Sequence, residues 1–254
     1  MNIPKPKPRG IYLLPNLFTI GSIFSGFFAI VSSLKGNYDS AAIAIFISMI
    51  MDTMDGKVAR LTNTMTAFGA EFDSMADMVS FAIAPAFLAY AWNLSNIGKF
   101  GWIAAFIYTV AVALRLARFN TQAASAGKRY FQGIPCPAAA AVVVSLVWVC
   151  FELELTNTTM AIVTAIAMIS VGVLMVSNIR YRSFKDAELK HNVRFVVILA
   201  TVLIITLIYV DPAKVLFVIF TTYAASGPIT TILGLQKKKR LRKTLSKHEK
   251  EKIP

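Results

Sequence analysis

Apolar residues along this chain come in runs of about twenty. They show neither the three-to-four spacing of a surface helix nor the alternation of a half-exposed strand. Short polar stretches separate the runs. A helix needs roughly 20 mostly apolar residues to cross the hydrocarbon core of a bilayer. Eight segments satisfy or approach this: Ile11–Leu34, Ser40–Arg60, Glu71–Trp92, Phe100–Asn120, Pro135–Phe151, Thr159–Ser177, Val193–Val210 and Ala213–Leu235. The pattern predicts an all-α, polytopic membrane helix bundle. Acidic residues interrupt the second and third segments, which strict hydropathy would miss. The first run is too long for the apolar part of a cleavable signal peptide and lacks a small-residue cleavage site, so it reads as a retained span. The longest connections run through Thr121–Ile134 and Arg180–Asn192. Residues 1–235 form one transmembrane domain in this reading, and 236–254 a basic tail.

Composition agrees with a bilayer protein. Of 254 residues, 56% are hydrophobic and only 15% charged, well short of the usual share for a soluble domain. The net charge is +13, an excess that suits nucleic acid, anionic lipid or the cytoplasmic loops of a membrane protein. Position decides between them. With eight spans both termini share a side, and all of the 26 Lys+Arg except Lys35, Lys99 and Lys214 fall on that side. The positive-inside rule therefore puts both termini in the cytoplasm and removes the reason to expect nucleic acid. The tail reads as a solvated topology anchor, with anionic headgroups the other surface it suits.

The scarce acids are more informative. Carboxylates inside membrane spans are costly and mark function by default. Here they form a pattern, Asp52-x-x-Asp55-Gly56-x-x-Ala59-Arg60, then, after eight residues, Gly69-x-x-x-Asp73-x-x-x-Asp77. Helical spacing puts Asp52 and Asp55 on one face and Asp73 and Asp77 on another. Gly56 and Ala59 continue the first face almost without side chain, leaving room for a ligand against the backbone. A turn through Leu61–Phe68 would bring the pairs together near the cytoplasmic interface. Four converging carboxylates need compensating charge, and hard divalent cations such as Mg²⁺ or Mn²⁺ supply it. Two such ions can clamp a pyrophosphate and stabilise a leaving oxygen. Ion pairing to Arg60, Arg115 and Arg118 accounts poorly for four acids with interleaved glycines. An ion-coupled membrane transporter is the non-enzymatic alternative, because transporters also hold acids at membrane depth.

The string from Asp52 to Asp77 resembles, in every fixed position and gap, the motif of the CDP-alcohol phosphotransferase family. The flanks are similar to its bacterial, membrane-integral, serine-accepting branch. They are Leu14-Pro15-Asn16-Leu17-Phe18-Thr19, Phe68-Gly69-Ala70-Glu71-Phe72-Asp73-Ser74, Ala76-Asp77-Met78-Val79-Ser80-Phe81, Leu114-Arg115-Leu116-Ala117-Arg118-Phe119-Asn120 and Tyr130-Phe131-Gln132-Gly133-Ile134-Pro135. The likeness is good from Leu13 to Ala140, and beyond it only the hydrophobic layout matches. The family core has six spans, which leaves the final pair peripheral.

The resemblance implies an enzyme of the inner (cytoplasmic) membrane. It would transfer the phosphatidyl group of CDP-diacylglycerol to the hydroxyl of L-serine, giving phosphatidylserine and CMP by direct displacement. Glycerol 3-phosphate or an inositol phosphate is the alternative acceptor within the family. Asp52, Asp55, Asp73 and Asp77 would hold two divalent cations, Mg²⁺ or Mn²⁺, with Asp77 doubling as general base. Pro15, Asn16, Gly56, Ala59, Arg60, Thr66 and Gly69 would bind CDP-diacylglycerol. Arg115, Arg118 and Asn120 are the candidates for the acceptor, an arginine suiting a carboxylate.

Other features read as structural. Cys136 and Cys150 have no His companions, and His191 and His248 lie in basic segments without ligand spacing. Gly21, Ser22, Ser25 and Gly26 suit close helix packing, within the chain or in a homodimer. Trp92, Trp102 and Trp148 fall near span ends and read as interfacial anchors.

Overall fold

The computed structural model describes residues 13–124, 133–179, 181 and 195–251. Among these residues nine α-helices make up the architecture, and there is no strand. Helix α1 spans Leu13–Leu34 and α2 Tyr38–Thr62. A third rod is built from α3 (Ala67–Asp77), a π-helical turn (Met78–Ile83) and α4 (Ala84–Trp92). Then follow α5 (Lys99–Ala124), α6 (Cys136–Glu152), α7 (Thr158–Val176), α8 (Phe195–Val210) and α9 (Pro212–Glu251). The eight segments expected from the sequence become eight rods in the same order. Among the described residues five rods are long and apolar enough to cross a membrane, among them Ala67–Trp92, which its acids do not disqualify. Those acids occupy only its first half, and the rod carries no charged residue from Met78 to Trp92.

Successive rods run antiparallel, so the bundle has two ends. At one, Tyr38 at the start of α2 donates to the Ala91 carbonyl (3.0 Å) and meets Phe151 edge-on, while Asn93 donates to Asn157 O. The turns bearing Lys35, Lys99 and Lys214 belong to this end. The acids lie toward the other, where α2 passes into α3 through Asn63–Thr66, a tighter turn than the Leu61–Phe68 segment expected. Asn63 adopts the left-handed conformation (φ 50°), and its N–H and that of Thr64 close back on Arg60 and Ala59. Thr66 then caps α3, accepting from the Gly69 N–H at 3.0 Å.

The core is built from α4, α6 and the residues facing them, with Phe81, Leu88, Tyr108, Val143, Val147 and Met168 fully buried. Trp92 and Trp148 belong to it as well, each 5% exposed, which corrects their reading as interfacial anchors; Trp102 is exposed. Each has an inward register on its helix, and burial of a large ring outweighs its preference for the headgroup layer. Of the small residues of α1, Ser22 and Gly26 are used inside the chain. The Ser80 hydroxyl donates to Ser22 O at 2.9 Å, and a Cβ at position 26 would lie 2.9 Å from Ser80 Cα.

Two span prolines share one solution to a backbone problem. Proline removes the N–H that would serve the carbonyl four residues earlier, and an orphaned carbonyl is expensive away from water. Pro85 orphans Phe81, whose carbonyl accepts from the Tyr108 hydroxyl at 2.7 Å. Pro228 orphans Ala224, whose carbonyl accepts from Tyr181 at 2.9 Å. Gly227 makes room for the Tyr181 ring, which also packs on Tyr223 (centroids 5.7 Å apart). Helix α9 continues without a break through position 235 to Glu251, so the basic tail is, over most of its length, the end of the last helix.

Candidate active site

Helices α1, α2 and α3 converge on the acids. One ligand atom from each of Asp52, Asp55 and Asp73 lies within 4.8 Å of the other two, which places both arms of the motif around one point. Asp77, one helical turn beyond Asp73, stands beside this trio, within electrostatic reach of Asp52 and Asp73. Asp55, only 5% exposed, is held by Thr19 of α1, whose hydroxyl donates to Oδ2 at 2.9 Å. Thr19 is a site residue that motif spacing does not reveal. It lies 36 positions from its partner, and only the packing of α1 on α2 joins them.

The donor set fits a divalent cation. Asp73 Oδ1 and Asp77 Oδ1 are buried without a hydrogen-bond partner. An unpaired carboxylate oxygen away from water is costly, and a cation satisfies several at once. Among the described residues no salt bridge joins a basic side chain to these acids. The ion-pair explanation of the acids therefore has no support in the geometry.

The residues expected around the nucleotide gather beside the acids. Arg60 folds back along α2, its Nε donating to Gly56 O at 2.8 Å, so the guanidinium covers the Gly56 face. A Cβ on Gly56 would meet nothing nearer than Arg60 Nη2, at 3.7 Å. At Gly69 a Cβ would lie 3.1 Å from Thr66 Oγ1 and 3.8 Å from Asn16 Oδ1, which puts Asn16, Thr66 and Gly69 in one corner. The corner is the N-terminus of α3, whose free N–H groups and helix dipole favour an anion. Pro15 is buried one turn before Thr19, accepting from its hydroxyl at 3.2 Å, and Ala59 is half-buried on α2.

The three acceptor candidates at the end of α5 separate. Arg118 points to α7, donating to Val176 O (3.3 Å) and Asn178 Oδ1 (2.8 Å). Asn120 lies against α3, with Nδ2 3.0 Å from Ser74 Oγ and 3.4 Å from Glu71 Oε2. Arg115 turns inward. It lies near the buried Cys136, which is itself within electrostatic reach of Asp77 and Asp52, and it neighbours Tyr223 of α9. Cys136 and Cys150 are both free and buried. His191 lies outside the described residues.

An acid cluster beside the free N–H groups of a helix start, set in a bundle of apolar helices, defines a polytopic membrane protein whose donor atoms could hold a cation next to an anion. The chain belongs to the CDP-alcohol phosphatidyltransferase family, whose model matches residues 12–176. Its relatives include several proteins named CDP-diacylglycerol–serine O-phosphatidyltransferase. The Helicobacter pylori protein is 38% identical over 221 residues, 86% of this chain and 91% of its own length. The Bacillus subtilis protein is 36% identical over 68% of this chain and 91% of its own length. The Methanocaldococcus jannaschii protein is 35% identical over 70% and 78%. The similarity to the H. pylori protein is longer than the stretch from Leu13 to Ala140 and takes in sequence beyond the family core.

Proposed function

We propose that the chain is a CDP-diacylglycerol–serine O-phosphatidyltransferase of the cytoplasmic membrane. The observation that carries this reading is the convergence of Asp52, Asp55 and Asp73 on one point, with orphaned oxygens on Asp73 and Asp77. The names borne by its relatives support serine as the acceptor.

Two divalent cations, Mg²⁺ or Mn²⁺, held by the four aspartates would neutralise the pyrophosphate and stabilise CMP as the leaving group. The lipid tails of CDP-diacylglycerol stay in the bilayer. Arg60 hydrogen-bonds the phosphates, while the Thr66 hydroxyl and the N–H groups at the start of α3 receive the remaining negative charge. Asn16, Gly56, Ala59 and Gly69 line the nucleotide corner. Asp77 takes the proton from the serine hydroxyl as its oxygen bonds to the β-phosphorus, and the bond from that phosphorus to CMP breaks. Of the two arginines, Arg115 reads the serine carboxylate, because it faces inward while Arg118 ties α5 to the end of α7. Asn120 holds α3 against α5. The positive-inside distribution puts this end of the bundle and both termini in the cytoplasm, where serine is available.

The test is release of CMP by purified protein from CDP-diacylglycerol with serine, glycerol 3-phosphate or inositol phosphate. Serine alone should drive it. Chelation of divalent cations should abolish it, and Mg²⁺ or Mn²⁺ should restore it. Release driven only by glycerol 3-phosphate would remove the serine assignment and leave the family membership intact. Solute flux without CMP release would favour a transporter.

A further inference from the structure

Directly after Asp77 the third rod leaves α-helical winding. The N–H of Ala84 bonds to Val79 O, five residues back, so Met78–Ile83 accommodates one residue more per turn than the helix on either side. An extra residue rotates whatever precedes it by about 100° relative to whatever follows. The half that follows is fixed, since Ala84, Leu88 and Ala89 are buried in the core. The half that precedes carries Asp73 and Asp77. The winding of this one turn thus sets the direction in which both acids face.

Two neighbours grip the turn. From α1, Ser22 accepts from the Ser80 hydroxyl at 2.9 Å across the close approach at Gly26. Three residues earlier on the same helix, Thr19 holds Asp55, so α1 registers both arms of the acid cluster. From α5, the fully buried Tyr108 donates to Phe81 O at 2.7 Å, in place of the N–H that Pro85 lacks. Pro85 forbids the α-helical bond from position 85 to Phe81, and Tyr108 satisfies the carbonyl so released. Together they make the wider winding the favourable one.

We propose that Tyr108 is a positioning residue for the reaction: by holding the Phe81 carbonyl it keeps the π-turn wound and aims Asp77 at the other acids. This rests on the reading in which Asp77 serves turnover. Tyr108 touches no reacting atom, and its effect belongs in kcat.

The experiment measures CMP release and the thermal midpoint of the purified full chain for the wild type, Tyr108→Phe, Tyr108→Phe/Pro85→Ala and Asp77→Asn. Tyr108→Phe should lower kcat about 10- to 100-fold, the scale of a small misplacement of a catalytic group, with KM for serine and CDP-diacylglycerol unchanged. Alanine at position 85 returns an N–H that can bond Phe81 O, so the double variant should regain wild-type thermal stability. Its kcat should stay low, because the turn is then free to rewind as α-helix. A full-rate Tyr108→Phe, or activity returning together with stability in the double variant, would overturn the proposal. An inactive Asp77→Asn beside a full-rate Tyr108→Phe would overturn the positioning role alone. Ordinary turnover by Asp77→Asn would instead remove the base assignment on which the proposal rests.

Discussion

Among the acids, Asp77 differs from its three companions. Asp52, Asp55 and Asp73 present atoms to a common point, while Asp77 stands beside them within electrostatic reach of Asp52 and Asp73. That offset suits a group that meets the incoming hydroxyl as well as metal. Asp77→Asn keeps the size and removes the basic oxygen, so it should retain CDP-diacylglycerol binding and lose turnover by at least about 100-fold. Equilibrium binding of the nucleotide lipid, set against CMP release, checks both halves. Asp55 gives a second expectation at this scale. Thr19→Val removes the hydroxyl that fixes its Oδ2, so the variant should need more Mg²⁺ for half-maximal activity, read from a metal titration. The aspartate spacing made the acids legible in the sequence, because three- and four-residue intervals on a helix already imply a shared face. Thr19 was not legible, since a threonine in an apolar span has no local signature of its partner.

Helices in this bundle are shaped by what replaces their missing backbone bonds. Pro85 and Pro228 each leave a carbonyl that a tyrosine hydroxyl from another part of the chain satisfies. Pro85 follows Asp77 on the same rod, beyond the π-turn. Pro228 anchors Tyr181, in the connection after α7, to α9. Gly227→Ala would drive a Cβ into the Tyr181 ring and displace the hydroxyl from Ala224. Leaving that buried carbonyl unpaired costs about 1–3 kcal/mol before any steric strain. The variant should therefore melt well below wild type. Gly21→Ala is the control, because its Cβ would meet only the flexible Met51 side chain, at 3.6 Å, and should leave the melting temperature nearly unchanged. Span prolines can be read from sequence; which tyrosine answers each one cannot.

The molecule as a whole separates its charges by end. Lys35, Lys99 and Lys214 belong to turns at the end opposite the acids, and Arg60, Arg115 and Arg118 lie toward the acids' end. If the positive-inside rule sets the orientation, a cysteine at Lys214 should react with an impermeant thiol reagent in intact cells. A cysteine at Asn63 should react only after permeabilisation. The native Cys136 and Cys150 are buried and leave a quiet background. Labelling of the Asn63 site from outside would invert the topology.

The sequence by itself determined the class of molecule. Runs of apolar residues as long as a bilayer is thick admit only spanning helices, and acids placed among them at helical intervals demand a compensating ligand. It also determined which acids would act together, because a short turn between two antiparallel helices leaves them no other arrangement. Tertiary packing decided what aims those acids. Thr19, Ser22 and Tyr108 come from helices distant in the chain, and their partners are set by the register of one helix on another. It also divided Arg115 from Arg118, which are three residues apart and chemically identical. Arg115 lies near Cys136 of α6 and Tyr223 of α9, while Arg118 caps α7, because the neighbours of each are supplied by different helices. Local spacing follows from helix geometry alone; the partner of a buried polar group follows only from the packed bundle.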